Sequence, residues 1–570
     1  MISQNWAPTY AAGTFNWDNA TTAAWAPSTG GPYNANWTAG ADAVLEGNGG
    51  TVTVSQNITS VNSLNFNTDW RTLGNTSAGY QWIPTYTINP SGAGAITLTG
   101  DAVITVGAGT DATTSPRNVG GGTALISCPI SGTNGMYKAG GGFLILTGAN
   151  NYNNSSLPSG TPATTVGGGT LMLGYGGTAS PLSGGTTGTI QGNVLNLANL
   201  AFNYSSAAPS AVTTFGGNIS GTGSVDILGT GTTTFTSNNT YTGITTVHAG
   251  STLQIGNGST ATAGAIVGDV VNNGTLIFNR AVSVSYSGII YDGSTFFPST
   301  AGANPYSSLY ANYNGVNSNN AEVAHAGNLI QAGTAGLTLD NSQMRYTGTT
   351  TVSAGGGGLK ITSASPSMAV LNTTKTNVNG FLVLDYSANT ANETSLVTQV
   401  VTDLHIAYNG GSGSFQSGHG YQIYSTSATA TQGLGWVDNA TTHQVTVMPA
   451  LYGDCNLDGV VNFSDLNKVL TNYNLTNMTW SQGDCNYDGV VNFADLNKVL
   501  TNYNLTGPLN INNLPVFAFD SLEADSQAMQ LLAKDGITLS QPVPEPSSLV
   551  MLASLLTMAG VWGFRRRRSR

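Results

Sequence analysis

The chain has 570 residues, of which 7% are charged and 40% hydrophobic, with 75 glycines and a formal net charge of −11. So few charges exclude a charged disordered polymer, and glycine without a three-residue period excludes collagen. Five of the fifteen lysines and arginines fall in the last six residues, which leaves a strongly acidic body with no basic face for nucleic acid.

In chain order, the opening MISQNWAPTYAAGTF has neither the basic nor the apolar segment of an export leader, so either a leader is missing from this sequence or its start is misassigned. From about residue 40 to about 375, short alternating strands recur between Gly, Asn and Ser turns. Examples are GGTVTVSQNITSVNSLNF (Gly49 to Phe66), AITLTGDAVITVGAG (Ala95 to Gly109) and GTLIFNRAVSVSYSG (Gly274 to Gly288). Longer units share a template: Tyr-Thr-Gly, a Thr-rich strand, a Gly corner, then a Leu-x-Ile strand. They are NTYTGITTVHAGSTLQIG ending at Gly256, RYTGTTTVSAGGGGLKIT starting at Arg345, and a looser relative from Gly135 to Gly174. Such strands bury their inner residues only by stacking on further coils, so residues 1–375 read as a β-solenoid with coils of uneven length. Residues 376–450 read as a small mixed β/α module, in which Leu396, Val397, Val400, Val401 and Leu404 form one helical stripe.

Two copies of one cassette follow, GDCNLDGVVNFSDLNKVLTNYNLT from Gly453 and GDCNYDGVVNFADLNKVLTNYNLT from Gly483, differing only at Leu457/Tyr487 and Ser464/Ala494. Each reads Asp-x-Asn-x-Asp-Gly-x5-Asp, the alternation that turns oxygens inward around Ca2+. The expected ligands are Asp454, Asn456, Asp458, the Val460 carbonyl, Asn462 and Asp465 in the first loop. In the second they are Asp484, Asn486, Asp488, the Val490 carbonyl, Asn492 and Asp495, for two ions in all. Gly459 and Gly489 make the sharp turns. Asp and Asn also cap helices, but an Asx-rich helix start does not call for a second, equally spaced copy. Phe463, Leu466, Val469, Leu470 and Tyr473, with their counterparts Phe493, Leu496, Val499, Leu500 and Tyr503, predict two helices whose stripes face each other, with Val461 meeting Val491 across the loops. Cys455 and Cys485, at loop position 2, read as spectator thiols, and with Cys128 they are too few for a disulfide framework.

After a linker with a short helix over 508–542, VPEPSSLVMLASLLTMAGVWGFRRRRSR begins at Val543. Its apolar run, Leu549 to Phe564, is about 24 Å long as a helix, a little under the roughly 30 Å of a bilayer core. Flanking arginines can snorkel, so one transmembrane helix is expected here.

Three resemblances follow from these motifs. Lys138 to Gly174 and Asn239 to Gly256 resemble autotransporter-associated β-strand repeats, and FNWDNATTAAWAPSTGGPYNANW, with Trp17, Trp25 and Trp37, resembles the Trp-rich start of such proteins. This implies a right-handed parallel β-helix at a cell surface; no barrel pattern follows the repeats, so autotransport itself is not expected. Gly453 to Gly507, with Asp at position 12 and no entering helix, resembles a type I dockerin. That implies a small all-α calcium domain and a cohesin partner recognised through positions 10 and 11, which here are Phe463-Ser464 and Phe493-Ala494. Pro544, Glu545 and Pro546, the apolar run, and Arg565, Arg566, Arg567 and Arg568 resemble a PEP-CTERM sorting signal. It implies export by a Gram-negative-type cell, a transient inner-membrane anchor, cleavage by an exosortase and association with the envelope or exopolysaccharide.

The expected function is therefore a non-enzymatic surface or matrix protein. The alternatives are a carbohydrate-active β-helix, as a polysaccharide lyase or hydrolase, or a cohesin-docked assembly component. Catalysis on sugars needs paired carboxylates or a base beside a cation, yet the acids between residues 70 and 375 are only Asp101, Asp111, Asp226, Asp269, Asp292, Glu322 and Asp340. The histidines, His248, His325, His405, His419 and His443, show no metal or triad spacing and read as surface residues, and no phosphate loop follows a strand.

Overall fold

The computed structural model describes residues 3–6, 13–18, 25, 36–47, 50–68, 86–107, 122–175, 188–206, 212–259, 264–293, 326–340, 344–355, 357–362, 375–408, 423–515 and 517. Within them the chain is mainly β. Outside the closing hairpin and the short strand Ile130–Ser131, strands consecutive in sequence fall in different sheets, while neighbours within a sheet come from successive coils, which is the pairing a solenoid requires. Thr245–Val247, for example, pairs in parallel with Ser224–Leu228 before it and Val270–Asn272 after it. The next strand, Thr252–Ile255, pairs with Thr232–Phe235 and Thr275–Phe278 in another sheet. The first sheet ends at Ile219–Ser220, just after a third has begun at Val212–Phe215. The coil outline thus changes along the axis.

Inner residues stack in columns because parallel register places like on like. Leu146, Leu173, Phe202, Ile227 and Val247 are successive partners, all buried. Corners repeat as well as strands. Asn150 donates to the Gly148 and Thr189 carbonyls and accepts from the Ile130 amide. Asn239 does the same with Ser237, Ala265 and Ile219. The template's tyrosine hydroxyl meets a threonine hydroxyl in three units, Tyr152 with Thr164, Tyr241 with Thr245 and Tyr346 with Thr350. Lys138 is buried with its Nζ on the Ala139, Gly140 and Gly168 carbonyls at 2.8–2.9 Å, and burial lowers its pKa to about 7. These bonds satisfy corner carbonyls that sheet pairing leaves open.

The core reaches both described ends of the solenoid. Near the N-terminus the indoles of Trp17, Trp25 and Trp37 are buried against one another, with centroids 5.0–5.1 Å apart. Toward the C-terminus, parallel pairing continues past residue 376. Thr376–Val378 pairs with Thr350–Val352, and Phe381–Asp385 with Gly358–Thr362. An antiparallel hairpin, Gln432–Asn439 and Gln444–Leu451, then closes the last sheet onto Phe381–Asp385. Helix α1 (Glu393–Ala407) buries Leu396, Val400 and Leu404, with Val397 and Val401 half-buried, as its stripe predicts.

Among the described residues no helix is long and apolar enough to cross a membrane. The expected membrane helix and the sorting motif, residues 543–570, lie outside the described residues.

Candidate metal centre and its seat on the solenoid

The two cassettes fold as near copies. Each loop leads into a nine-residue helix, α2 (Phe463–Thr471) and α3 (Phe493–Thr501). Gly459 and Gly489 take φ of 86° and 78°, a left-handed turn in which a side chain would be strained. Position 4 is also left-handed, at Leu457 and Tyr487 (φ 58° and 60°). A bulky residue there costs about 1–3 kcal/mol, and tertiary contacts described below offset it.

In the first loop Asp454 Oδ2 accepts from the Gly459 amide at 3.0 Å, while its Oδ1 is buried with no hydrogen bond. Asn456 Oδ1 accepts from the Asp458 amide, and Asp458 Oδ1 from the Val460 amide. The Val460 carbonyl accepts from Asn462 Nδ2, and Asn462 Oδ1 caps α2 through the Ser464 amide. Asp465 takes the Cys455 and Asn456 amides on Oδ1 and the Asn462 amide on Oδ2, so it gathers both ends of the loop. The second loop repeats this through Asp484, Asn486, Asp488, Val490, Asn492 and Asp495, again with a buried Asp484 Oδ1 lacking a hydrogen bond.

The electrostatics favour a cation. Burial, then the nearby Asp465 carboxylate, pushes the Asp454 carboxyl up to about 7. Burial does the same at Asp484, with Asp495 and Asp488 adding to it. Burial also raises Asp465 and Asp495. Desolvated carboxylates held together are stabilised as anions by a positive ion at the centre. The donor atoms are all oxygens, and the bare Oδ1 in each loop is the kind of atom a hard cation takes. Among the described residues no group of three His, Cys, Asp or Glu side chains already stands in metal-holding geometry. In each loop the Asp at position 5 is turned onto the Asn at position 3 and the amide at position 7, so ion binding would require these side chains to rotate inward.

The helices depart from expectation. Val469 and Val499 are buried, and Leu466 and Leu496 half-buried, but Phe463, Leu470, Tyr473, Phe493, Leu500 and Tyr503 are exposed, Phe463 at 68% and Phe493 at 66%. The stripes therefore do not face each other as wholes: only the 466/469 and 496/499 rows turn inward. Nor do the loops pair backbone to backbone at position 8. Val461 bonds with Leu505 and Asn504 beyond α3, and Val491 with Leu475 and Asn474 beyond α2, so each loop pairs with the tail of the other cassette.

The module also sits directly on the solenoid's closing hairpin, which sequence reasoning did not anticipate. The Tyr487 hydroxyl donates to the Leu434 carbonyl and accepts from its amide, both at 2.9 Å. A Cβ on Gly433 would strike Tyr487, and one on Gly435 would strike Leu457. Position 4, where the cassettes differ, is thus where two equivalent loops meet non-equivalent stretches of one strand; the other difference, Ser464/Ala494, is exposed. Trp480 Nε1 donates to the Asp454 carbonyl at 2.7 Å, and Asn502 Nδ2 to the Thr431 and Tyr452 carbonyls. From α1, a His405 ring nitrogen donates to the Tyr487 carbonyl at 2.7 Å. Lys498 lies 3.7 Å from the Tyr452 ring centroid.

Solenoid acids act as latches between coils. Asp226 binds Asn199 and His248; Asp269 accepts from the Ile289 amide, Asp292 from Thr347, and Asp340 from the Thr362 hydroxyl. His248 is buried rather than on the surface. Asp111, Glu322, His325 and His419 lie outside the described residues.

Comparison with known proteins adds two findings. The PEP-CTERM protein-sorting motif matches residues 542–568. An adhesin, BmaC autotransporter of Brucella suis biovar 1 (strain 1330), is 30% identical over 288 residues, which is 49% of this chain but 7% of the adhesin. No solved structure matches. The chain therefore carries a PEP-CTERM sorting motif, which implies processing by an exosortase, and over about half its length it is similar to a small part of an adhesin autotransporter; together these indicate an exported cell-surface protein.

Proposed function

We propose that this is a non-enzymatic structural or adhesive protein: a right-handed parallel β-helix displayed at the envelope or in the extracellular matrix, whose C-terminal end is closed by a dockerin-like module holding two Ca2+ ions. The first ion would take Asp454, Asn456, Asp458, the Val460 carbonyl, Asn462 and Asp465, and the second their counterparts from Asp484 to Asp495. The ion supplies positive charge that holds the loop closed; it has no substrate. The tail from Pro544 would anchor the chain in the inner membrane until an exosortase cuts near Pro544-Glu545-Pro546. The observation that carries the reading is the seating of Tyr487 on Leu434, which makes the loops part of the solenoid's closed end. Structural use of the solenoid acids supports a scaffold over a catalyst. Protease treatment of intact cells tests it: solenoid peptides should be released, whereas complete protection with release only on lysis would contradict surface display.

A second reading rests on the exposed apolar rows Phe463, Leu470, Tyr473 and Phe493, Leu500, Tyr503. In it these rows bind a cohesin-like domain, with Phe at position 10 in place of a hydroxyl residue. Capture of a purified cohesin from the same cell by the intact chain, lost in Phe463→Ser/Phe493→Ser, would support it, and no binding would retire it. Association with exopolysaccharide follows from the sorting motif's implied setting and is open to the same binding format.

A further inference from the structure

Position 2 of each loop is not among the expected ligands, yet the two residues there are not apart. Cys455 and Cys485 are fully buried, with their sulfurs 3.7 Å from each other. The geometry follows from duplication. Two near-identical halves packed as a pair are related by an approximate twofold, and a residue near that axis meets its own counterpart, as at a two-subunit interface. Two of the chain's three cysteines are spent on this one contact. The calcium chemistry proposed above uses neither.

We propose that Cys455 and Cys485 become a disulfide during export, a staple joining the two loops across their axis. A disulfide needs its sulfurs about 2.05 Å apart, so they must close by only about 1.7 Å between them. The oxidant is a protein dithiol–disulfide oxidoreductase of the oxidising export compartment. The thiolate of one cysteine attacks the donor's disulfide, forming a mixed disulfide and freeing one donor thiol. The second cysteine then displaces the donor's remaining sulfur. The protein's pair loses two electrons and two protons, and the donor leaves as a dithiol. Both sulfurs are sealed once the module closes, so transfer occurs on the chain before folding completes. The staple spans the thirty-residue cassette repeat and keeps the two loops covalently joined whether or not ions are bound. Cys128, buried in the solenoid with its thiol pushed up to about 12 by desolvation, stays reduced.

The test is thiol counting on the full chain recovered from the cell surface. Alkylation under denaturing conditions should label one cysteine, Cys128, without reductant and three after reduction. Digestion should yield a peptide pair joined at Cys455 and Cys485, lighter than its parts by two hydrogens. The Cys455→Ser chain should show two labels without reductant. The same pattern is expected with calcium or chelator throughout, so the result stands apart from the calcium reading. Three labels without reductant, or a cross-link involving Cys128, would overturn the proposal.

Discussion

Replacing Tyr487 by Phe removes one oxygen, and the structure says what that oxygen holds. Leu434 is fully buried on the outer strand of the closing hairpin, and the hydroxyl engages both its amide and its carbonyl at 2.9 Å. Two net hydrogen bonds are worth about 1 kcal/mol each, and a buried group left without a partner costs about 1–3 kcal/mol. The change should therefore weaken the hairpin edge by about 2–3 kcal/mol, or roughly 30- to 150-fold in the opening equilibrium at 1.4 kcal/mol per tenfold. Hydrogen exchange on peptides covering 432–439, with calcium saturating, reads this directly. Tyr487→Leu, which copies Leu457, should lose more, because the Tyr408 and Trp480 rings, 5.1 and 5.4 Å away, lose their partner as well. Exchange within twofold of the parent in Tyr487→Phe would refute the claim that the module holds the end of the solenoid.

Chelation should abolish the helical signal of 453–507 and open the 432–451 hairpin to protease while the solenoid's β signal persists, and Asp458→Ala with Asp488→Ala should do the same in calcium. Val469→Ala should cost about 2 kcal/mol through a cavity, whereas Leu470→Ser next to it should stay within about 0.5 kcal/mol, measured by denaturant midpoints. Burial pushes the Asp403 carboxyl up to about 6 from 3.8, with Oδ1 on Gln399 and Oδ2 without a hydrogen bond. Because the folded state holds this proton more tightly, its contribution is full below pH 4 and is lost as pH rises through 6, by up to about 3 kcal/mol. Asp403→Asn should therefore gain on the parent in unfolding midpoint between pH 4.5 and 8; parallel pH profiles would contradict this. Trp25→Ala should destabilise the N-terminal coils by about 3–5 kcal/mol.

The repeat template was legible because stacking makes each coil solve the same problem. The Tyr152, Tyr241 and Tyr346 hydroxyls all find a threonine, and a motif that bonds to its own unit shows as a repeated string. The α1 stripe was legible for the same local reason. The helices after the loops were harder, because a 3.6-residue period looks the same whether it faces a core or solvent. Phe463 and Val469 share it but not their surroundings. The seat of the loops on the hairpin was hidden because Leu434 and Tyr487 are 53 residues apart. The sign available was the Leu457/Tyr487 difference itself: a change inside an otherwise kept string marks contact with something the symmetry does not repeat. Duplication could likewise have flagged Cys455 and Cys485 as neighbours.

Titrating Ca2+ into the metal-stripped full-length chain in a calorimeter tests the central claim most directly. Binding heat saturating at two ions per chain, and absent from the Asp458→Ala/Asp488→Ala chain, is the predicted result. No heat from the parent chain would contradict the account.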